Sequence, residues 1–384
     1  MSDIASVTLP VRSGPQSYYQ WAIDGLRSIV ARVSKGLPAP KTITEPVKKA
    51  LHKVSDLLSI LENGFLLGFE TDKSNRYTKQ PLQLDTARNL LTRGLSANET
   101  KNSGLTQIKI SPEKKSMDDV FHIFSGIRTS AYYKLDGAIK FAQAGIETVI
   151  GNYRGFGENF SERKANHQTM IEDAKSRLKA SLVKSKRASV LGHSLGAAIA
   201  SRALADLSDE HEIRSCNFVA VSSWNSFKAV APLLGIKPFN SMLRSYIQHL
   251  FQDKFDTSQN LCKVIDKMVT SYQKNPPQAH EKFRLIVVHG NNDNHVSEEH
   301  ARELKNTIET YVQNSVPKEL QSHFLPVEYL AVPEAGHFTV KHGDGNIPWV
   351  QIIDILKGQK AESKLANPDT KPVKASQIQL KQAV

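Results

Sequence analysis

The spacing of apolar residues changes along the chain and separates strands from helices. From about residue 105, short apolar runs alternate with longer segments whose apolar residues recur at helical spacing. Short runs bounded by polar residues are typical of buried strands. We predict strands at 105–110, 120–124, 148–153, 188–191, 217–221, 283–288 and 327–332, and helices at 131–144, 167–183, 197–207 and 298–312. This alternation predicts an α/β fold, a mostly parallel sheet with helices on both faces.

One connection in this alternation is too long to be a simple loop. About sixty residues separate Val221 from Phe283, and they are rich in Leu, Ile, Phe, Tyr and Lys. A connection of that length needs structure of its own, and in α/β enzymes it commonly forms a lid over the site. We therefore predict a helical cap at 224–279, inserted between two parts of one core, 105–223 and 280–360.

The two ends of the chain have different patterns. Residues 1–104 are predicted to form a helical extension, because apolar residues between Tyr19 and Val33 recur at roughly helical spacing with basic residues between them. That stripe could pack against the next domain or lie on an anionic membrane surface. Residues 361–384 are polar and weakly apolar, which predicts a mobile tail.

Composition and charge narrow the class of protein. Hydrophobic residues make up 40% and charged residues 23%, as in ordinary globular proteins. The net charge of +12 attracts anionic partners in general, and no motif indicates nucleic acid. The two cysteines favour a reducing compartment without structural zinc. Neither a signal-peptide pattern nor an apolar run of about 18 residues is present. We therefore expect a cytoplasmic protein that could bind membrane peripherally.

The first candidate catalytic motif along the chain is Gly192-His-Ser194-Leu-Gly196. It lies between the strand predicted at 188–191 and the helix predicted at 197–207. A G-x-S-x-G sequence in this context is the pattern of a nucleophile elbow, where glycines permit a sharp turn and the serine is exposed at the sheet edge. The N-terminus of the following helix would favour negative charge beside it. The alternative is a glycine-rich turn whose serine is incidental.

On these residues the chain resembles the α/β-hydrolase superfamily of serine hydrolases, over about residues 105–358. In that family an acid and then a histidine follow the serine along the chain. The segment His-Gly290-Asn-Asn-Asp293 is similar to the family's His-Gly-x-x-Asp segment, so the resemblance implies Asp293 as the acid. Gly336-His337 is similar to the family's Gly-His loop and implies His337 as the base. A serine needs that base because its hydroxyl is otherwise a weak nucleophile.

The resemblance also implies an oxyanion hole of two backbone N–H groups. One would belong to Leu195, the residue after the serine, and the other to the turn that follows the strand at 120–124. The family commonly has His-Gly in that turn, whereas this chain has Ser125-Gly126-Ile127. We expect Gly126 to form the turn and the Ile127 amide to be the second donor.

Arg154 lies in the sequence Tyr-Arg-Gly-Phe-Gly, which resembles a segment of the hydrolase branch that includes membrane-facing lipases and thioesterases. We predict that it braces loops near the site. It could do so through a structural ion pair, or it could meet an anionic group of the substrate.

Other histidines lie near the candidate residues in sequence. His193 precedes the serine and is interpreted as a packing residue or a helper. His289 and His295 flank the candidate acid and are rivals for the role of base, although both are very close to the acid along the chain. His342 and Asp344 form a further pair, which we interpret as a solvated turn.

These residues predict a serine hydrolase that cleaves a carboxylic ester or thioester through an acyl-enzyme on Ser194. The ester class follows from the resemblance, and the apolar residues of the predicted cap favour an acyl chain or lipid, unless they only pack the cap. An acyltransferase, a peptidase and a non-catalytic binding module of the same fold remain alternatives. No metal or organic cofactor is implied, and the oligomeric state is open. The helical N-terminal region and polar tail are also similar to those of bacterial effectors delivered into host cells.

Overall fold

The computed structural model describes residues 94–126, 134–154, 159, 167–226, 255–337 and 348–358. Within them the chain forms one sheet whose strands are ordered β1-β2-β4-β3-β5-β6-β7-β8. The strands are β1 (Leu95–Asn102), β2 (Leu105–Pro112), β3 (Val120–Phe124), β4 (Glu147–Gly151), β5 (Arg187–His193), β6 (Ser215–Val221), β7 (Phe283–Gly290) and β8 (Glu328–Val332). β1, β2 and β4 pair in antiparallel fashion, and every other neighbouring pair is parallel.

Helices cover both faces of the sheet, as the alternation of the sequence predicts. They are α1 (Leu135–Gln143), α2 (His167–Ser185), α3 (Leu195–Glu210), α4 (Thr257–Lys274), α5 (Glu298–Ser315) and α6 (Trp349–Leu356), with a 3₁₀ turn at Lys318–His323. Alternate residues of the strands enter two separate clusters. Val190 packs with α2, α3, α4 and α5, whereas its neighbour Leu191 packs with α1 and α6. The α/β fold with a mostly parallel sheet is thereby confirmed.

Two of the predicted boundaries are wrong. The stretch 95–102 was assigned to the helical extension, but it forms β1, which pairs with β2 from Leu95 opposite Pro112 to Asn102 opposite Leu105. The second half of the predicted cap also belongs to the core, because α4 packs its apolar stripe against α3. Its residues Leu261, Val264, Ile265 and Met268 are fully buried in the same cluster as α3.

Several predictions fall outside the described residues. They include the amphipathic segment between Tyr19 and Val33 with its membrane hypothesis, the cap residues 227–254, the pair His342 and Asp344, and the tail 361–384. In the part of the chain that the structure describes, no helix is long and apolar enough to span a membrane.

The parallel strands place their carboxyl ends at one edge of the sheet. β5 ends at His193, directly before Ser194, and β7 ends at Gly290, three residues before Asp293. β8 ends at Val332, five residues before His337. Residues that are far apart in sequence therefore emerge side by side at this carboxyl edge, where ligands bind in open α/β sheets.

Candidate active site

Ser194 lies on a sharp turn between β5 and α3. Its backbone has φ 54° and ψ −125°, a conformation that costs a non-glycine residue free energy and persists only where the surroundings impose it. Its N–H donates to the carbonyl of Val221 at the end of β6, with an N···O distance of 2.8 Å. The turn is therefore fixed by the neighbouring strand, as the elbow motif predicts.

The glycines of the motif allow the backbone segments to approach closely. A Cβ at Gly192 would lie 2.3 Å from Cα of Ala197, and one at Gly196 would lie 2.4 Å from the carbonyl oxygen of Phe124. Real Cβ atoms do not tolerate either distance, so any other residue would push α3 away from β5 or from the end of β3. The small residues hold the start of α3 directly behind Ser194.

The structure brings Ser194, His337 and Asp293 together in hydrogen-bonding contact. His337 Nδ1 lies 2.8 Å from Asp293 Oδ2, and His337 Nε2 lies 3.1 Å from Ser194 Oγ. Because a carboxylate only accepts hydrogen bonds, Nδ1 carries the proton, and in a neutral imidazole Nε2 is then free to accept the hydroxyl proton of Ser194. All three side chains are buried.

Three N–H groups donate hydrogen bonds to the carboxylate of Asp293, and a fourth nitrogen lies close to it. Oδ1 accepts from the backbone N–H groups of His295 and Val296, each at 2.9 Å. Oδ2 accepts from His337 and lies 3.4 Å from Nε2 of His289. Burial alone would raise the pKa of Asp293, but the hydrogen bond and charge of His337 and the two backbone donors outweigh it and lower the pKa. The acid is therefore ionised at neutral pH.

The loops that carry Asp293 and His337 are linked to each other by backbone contacts. Asn292 N donates to the carbonyl of Ala335 at 3.1 Å, and Glu334 N donates to Oδ1 of Asn291 at 2.7 Å. A Cβ at Gly290 would lie 2.1 Å from the same Ala335 oxygen, so only glycine permits this approach. Sequence reasoning missed Asn291, because its role depends on the meeting of two loops that are distant in sequence.

Histidine rings enclose His337 on two sides. The His193 ring centroid is 5.3 Å from that of His337, and His193 Nε2 lies 3.3 Å from the backbone oxygen of His337. His295 stacks on the other side at 5.4 Å with an interplanar angle of 24°. The imidazole in contact with Ser194 is that of His337, while His193 contacts the loop that carries it.

Part of the predicted oxyanion hole, the turn at Gly126 and the residue Leu195, lies within the described residues. A Cβ on Gly126 would lie 3.1 Å from Nδ1 of His193 and 3.2 Å from Cβ of Ser194, so the turn after β3 packs directly against the elbow. Leu195 is buried as the first residue of α3, which places its backbone N–H at the helix N-terminus beside the serine. Ile127, the other predicted donor, lies outside the described residues.

Arg154 forms an ion pair that braces the loop after β4. Its Nε donates to Oδ1 of Asp173 on α2 at 2.8 Å, and its backbone N–H donates to Oδ2 at 2.9 Å. One turn along α2, the guanidinium of Arg177 lies 5.3 Å from the ring centroids of both Phe124 and Tyr153. α2 therefore ties the ends of β3 and β4 together, and sequence reasoning did not single out Asp173 or Arg177.

Among the described residues, no group of three or more His, Cys, Asp and Glu side chains has the arrangement of a metal site.

The cysteine residues Cys216 and Cys262 are both free thiols, and burial raises the pKa of each to about 12. Neither thiol is therefore an activated nucleophile at neutral pH.

Comparisons with known proteins give a family match and distant structural similarity. The family model described as serine aminopeptidase S33 matches residues 115–266. Similar solved structures include lip1 of Acinetobacter baumannii AYE, with 16% identity, coverage of 75% of this chain and 98% of that chain, and a TM-score of 0.44. The esterase Pf2001 of Pyrococcus furiosus has 17% identity, coverages of 71% and 93%, and a TM-score of 0.45. A puromycin-hydrolyzing peptidase of Mycobacterium tuberculosis has 12% identity, coverages of 68% and 40%, and a TM-score of 0.44.

No curated protein matches the sequence significantly. The family match begins just before β3 and ends within α4, so it contains the elbow and the strands on either side of it. It coincides with the part of the fold in which a mostly parallel sheet holds Ser194 on a strained turn at its carboxyl edge. The sequence match and the observed topology thus agree on one fold, the α/β-hydrolase fold.

Proposed function

We propose that the protein is a serine hydrolase that cleaves a carboxylic ester or thioester through an acyl-enzyme on Ser194. The observation that carries this proposal is the continuous contact from Ser194 Oγ to His337 Nε2 and from His337 Nδ1 to Asp293 Oδ2. These are the three groups that acyl transfer needs, in the order nucleophile, base and acid.

In the proposed first half-reaction, His337 Nε2 removes the hydroxyl proton as Ser194 Oγ attacks the carbonyl carbon of the substrate. The buried Asp293 carboxylate stabilises the imidazolium that forms and keeps its Nδ1 proton in place. Backbone N–H groups stabilise the negative charge on the carbonyl oxygen, and the N–H of Leu195 is the candidate that lies within the described residues. His337 then donates its proton to the leaving alcohol or thiol, which leaves the acyl group on Ser194.

The second half-reaction repeats these steps with water. His337 removes a proton from water, the hydroxide adds to the acyl carbon, and Ser194 leaves as an alcohol after taking the proton back. An acyltransferase would use an alcohol in place of water at this step. The two activities share every residue named here, and they are separated by analysing whether the product is a free acid or a new ester.

The test of the proposal combines labelling with a substrate panel. A fluorophosphonate probe should label the wild type at one residue and leave Ser194→Ala unlabelled. Nitrophenyl esters and thioesters of graded chain length would then give the acyl preference. Labelling of Ser194→Ala at the wild-type rate would reject Ser194 as the nucleophile, and a folded wild type that neither reacts nor turns over any ester would favour a binding module.

A second candidate function is the removal of amino-terminal residues from peptides. It is favoured by the family model, whose description is that of a serine aminopeptidase. The same acyl-enzyme would form, but the leaving group would be an amine and the substrate would carry a free α-amino group. Aminoacyl nitroanilides with and without an acetylated amino group distinguish it, because a peptidase of this kind should cleave only the free-amine series.

A further inference from the structure

His289 is a buried histidine beside the proposed acid that the proposed reaction does not itself use. It is the penultimate residue of β7, and its side chain is fully buried. Its Nε2 lies 2.8 Å from the carbonyl oxygen of Val296 and 3.4 Å from Oδ2 of Asp293. It is not the base, because this nitrogen is already bonded to a backbone carbonyl.

The surroundings of Nε2 fix the tautomer of His289. Both atoms that face it, a carbonyl oxygen and a carboxylate oxygen, can only accept, so Nε2 carries a proton and donates to Val296. Burial lowers the pKa of His289, and this outweighs the raising effects of the Val296 carbonyl and the Asp293 charge. The ring is therefore neutral at pH 7, and Nδ1 is an acceptor with no partner among the described residues.

The residue that His289 binds is one of the residues that hold the acid. The Val296 N–H donates to Asp293 Oδ1 at 2.9 Å, while the Val296 carbonyl accepts from His289. The side chain of Val296 is buried in the core cluster. The Val296 end of this turn is thus linked to β7 through the imidazole, and its Asp293 end through the Asp293 N–H, which donates to the carbonyl of Gly290 at 3.2 Å. The Val296 N–H faces Oδ1, and the other oxygen of the same carboxylate, Oδ2, accepts from His337.

We propose that His289 is a positioning residue for Asp293, which holds the turn 293–296 against β7 and so orients Oδ2 toward His337. This inference rests on the proposed function, in which Asp293 orients the base. Without the Nε2–H donor, the Val296 end of the turn loses its hydrogen bond to the strand, and the carboxylate can rotate away from His337 Nδ1. In the proposed function the acid acts on His337 and not on the substrate, so the loss should affect turnover rather than substrate binding.

The kinetic test compares variants that keep or remove the donor. His289→Phe keeps a flat ring without a donor, and His289→Leu is a second non-donor variant in case the first does not fold. Residues that orient metal-binding side chains typically contribute ten- to a hundredfold to affinity or activity, and we take the same range for His289, which orients Asp293. We therefore expect kcat for a short ester to fall roughly tenfold to a hundredfold with KM nearly unchanged. His289→Gln places an amide N–H near the position of Nε2 and should recover most of the loss.

The matched control is His122→Leu. His122 is another buried histidine on a strand, and its Nε2 also makes one hydrogen bond, at 2.9 Å to Ser181 Oγ, but it does not contact the site residues. This variant should lose stability and keep kcat. If His122→Leu lowers kcat as much as His289→Phe does, the effect is general loosening of the fold and the proposal is wrong.

A double-mutant cycle separates positioning from structure. In an Asp293→Asn background the oriented carboxylate is already gone, so His289→Phe should cost little further activity. A full, multiplicative second loss would overturn the proposal, because His289 would then act independently of Asp293.

A spectroscopic readout does not depend on the substrate. The proton between His337 Nδ1 and Asp293 should give a far-downfield ¹H resonance in the wild type and in His289→Gln. It should be lost or strongly shifted in His289→Phe. An unchanged resonance in His289→Phe would reject the positioning role even if no substrate is found, whereas failure of the proposed function would appear as inactivity with this resonance intact.

Discussion

Two of the buried clusters that combine a serine with an aspartate in the described part of the chain lie toward opposite edges of the sheet. At the carboxyl edge, Ser194 reaches Asp293 only through the imidazole of His337. Toward the amino edge, Ser189 Oγ donates directly to Asp119 Oδ2 at 2.9 Å. Both serines belong to β5 or to the turn that follows it, and all four side chains are buried. The residue types are therefore shared, and their arrangement makes the difference.

The side chains that contact Asp119 in the described residues all donate hydrogen bonds to it, and none of them is a histidine that could act as a base. Asn217 Nδ2 donates to Asp119 Oδ2 at 3.0 Å and to Ser189 Oγ at 2.9 Å, and Arg187 Nη1 lies 3.4 Å from Oδ1. Such a network ties the start of β3 to β5 and β6, but it contains no imidazole between the serine and the aspartate. Ser189 also lies in extended strand, whereas Ser194 is held in a strained turn. The comparison indicates that an imidazole placed between a hydroxyl on a strained turn and an acid makes a candidate reactive centre from common residues.

Alanine at each serine gives the largest expected contrast. Ser194→Ala removes the proposed nucleophile and should lower kcat by more than about a thousandfold. Ser189→Ala should leave kcat near the wild-type value, but it removes a buried partner of Asp119 and should cost roughly 1–3 kcal/mol of unfolding free energy. Steady-state hydrolysis and urea unfolding of the two variants test this. The contrast is lost if Ser189→Ala abolishes turnover in a folded protein.

Replacing the two aspartates should give a contrast of the same kind, with a loss of activity at Asp293 and a loss of stability at Asp119. Asp293→Asn preserves shape but no longer holds the Nδ1 proton of His337, so kcat should fall by up to roughly ten-thousandfold while the protein stays folded. Asp119→Asn should instead lower stability by a few kcal/mol, on the order of 2–4, because Arg187 loses its carboxylate and the network loses an acceptor.

Activity and thermal melting of both asparagine variants provide the measurement. Substantial activity in Asp293→Asn would mean that another carboxylate orients His337. Asp344, which lies outside the described residues, would then be the next residue to replace.

The sequence predicts the cluster of Ser194, His337 and Asp293 better than the network around Asp119, because Ser194 lies in a local motif. The turn around Ser194 is encoded by consecutive residues, and the strand and helix on either side have clear apolar patterns. Asp293 and His337 were predicted because they follow late strands in the order that the family resemblance implies. The network of Asp119, Ser189 and Asn217 has no local pattern, because its members come from the start of β3, from β5 and from β6, which meet only in the sheet.

The failures of prediction have equally specific causes. β1 has the sequence LSANETKN, in which only Leu95 is buried, so it carries no strand periodicity and exists through its backbone pairing with β2. α4 has a clear helical stripe, but the stripe alone does not say whether it faces a cap or α3. The contact of Asn291 depends on how two loops meet, and that of His289 depends on how the turn after β7 folds back on the strand. No periodicity of the sequence records either contact.

Glycines toward the two edges allow a smaller contrast. Gly290→Ala would place Cβ 2.1 Å from the oxygen of Ala335 and displace the loop that carries His337. A displacement of about 1 Å in a reacting group can cost roughly a hundredfold, so kcat should fall by about that factor. Gly145→Ala, at φ 85° and 2.7 Å from Ser116 Oγ, should lower only stability. Equal kcat values for the two variants would show that the loop absorbs the clash.

The smallest expected effect concerns a second histidine–serine pair, His122 and Ser181. Its Nε2···Oγ distance of 2.9 Å is similar to that between His337 and Ser194. On the other side of the ring, however, Nδ1 of His122 has no partner among the described residues, so no acid there stabilises the charged form. Burial, with a further contribution from Arg177, lowers the pKa of His122 to about 3, and Glu147 opposes this only in part. The pair is thus a neutral, structural counterpart of the candidate site.

This difference predicts a dependence of stability on pH. Between about pH 6.5 and pH 3 the unfolded chain binds a proton at His122 that the folded chain does not, so stability falls as the pH falls. One such group contributes about 1.4 kcal/mol per pH unit. His122→Leu loses a hydrogen bond and should be less stable than the wild type at pH 7, but it lacks this titration. The difference in unfolding free energy between the two should therefore shrink as the pH is lowered from 6.5 to 4.5, as followed by urea unfolding at each pH. Parallel curves would mean that His122 is protonated in the folded protein, and the pair would then be no neutral counterpart of His337 and Ser194.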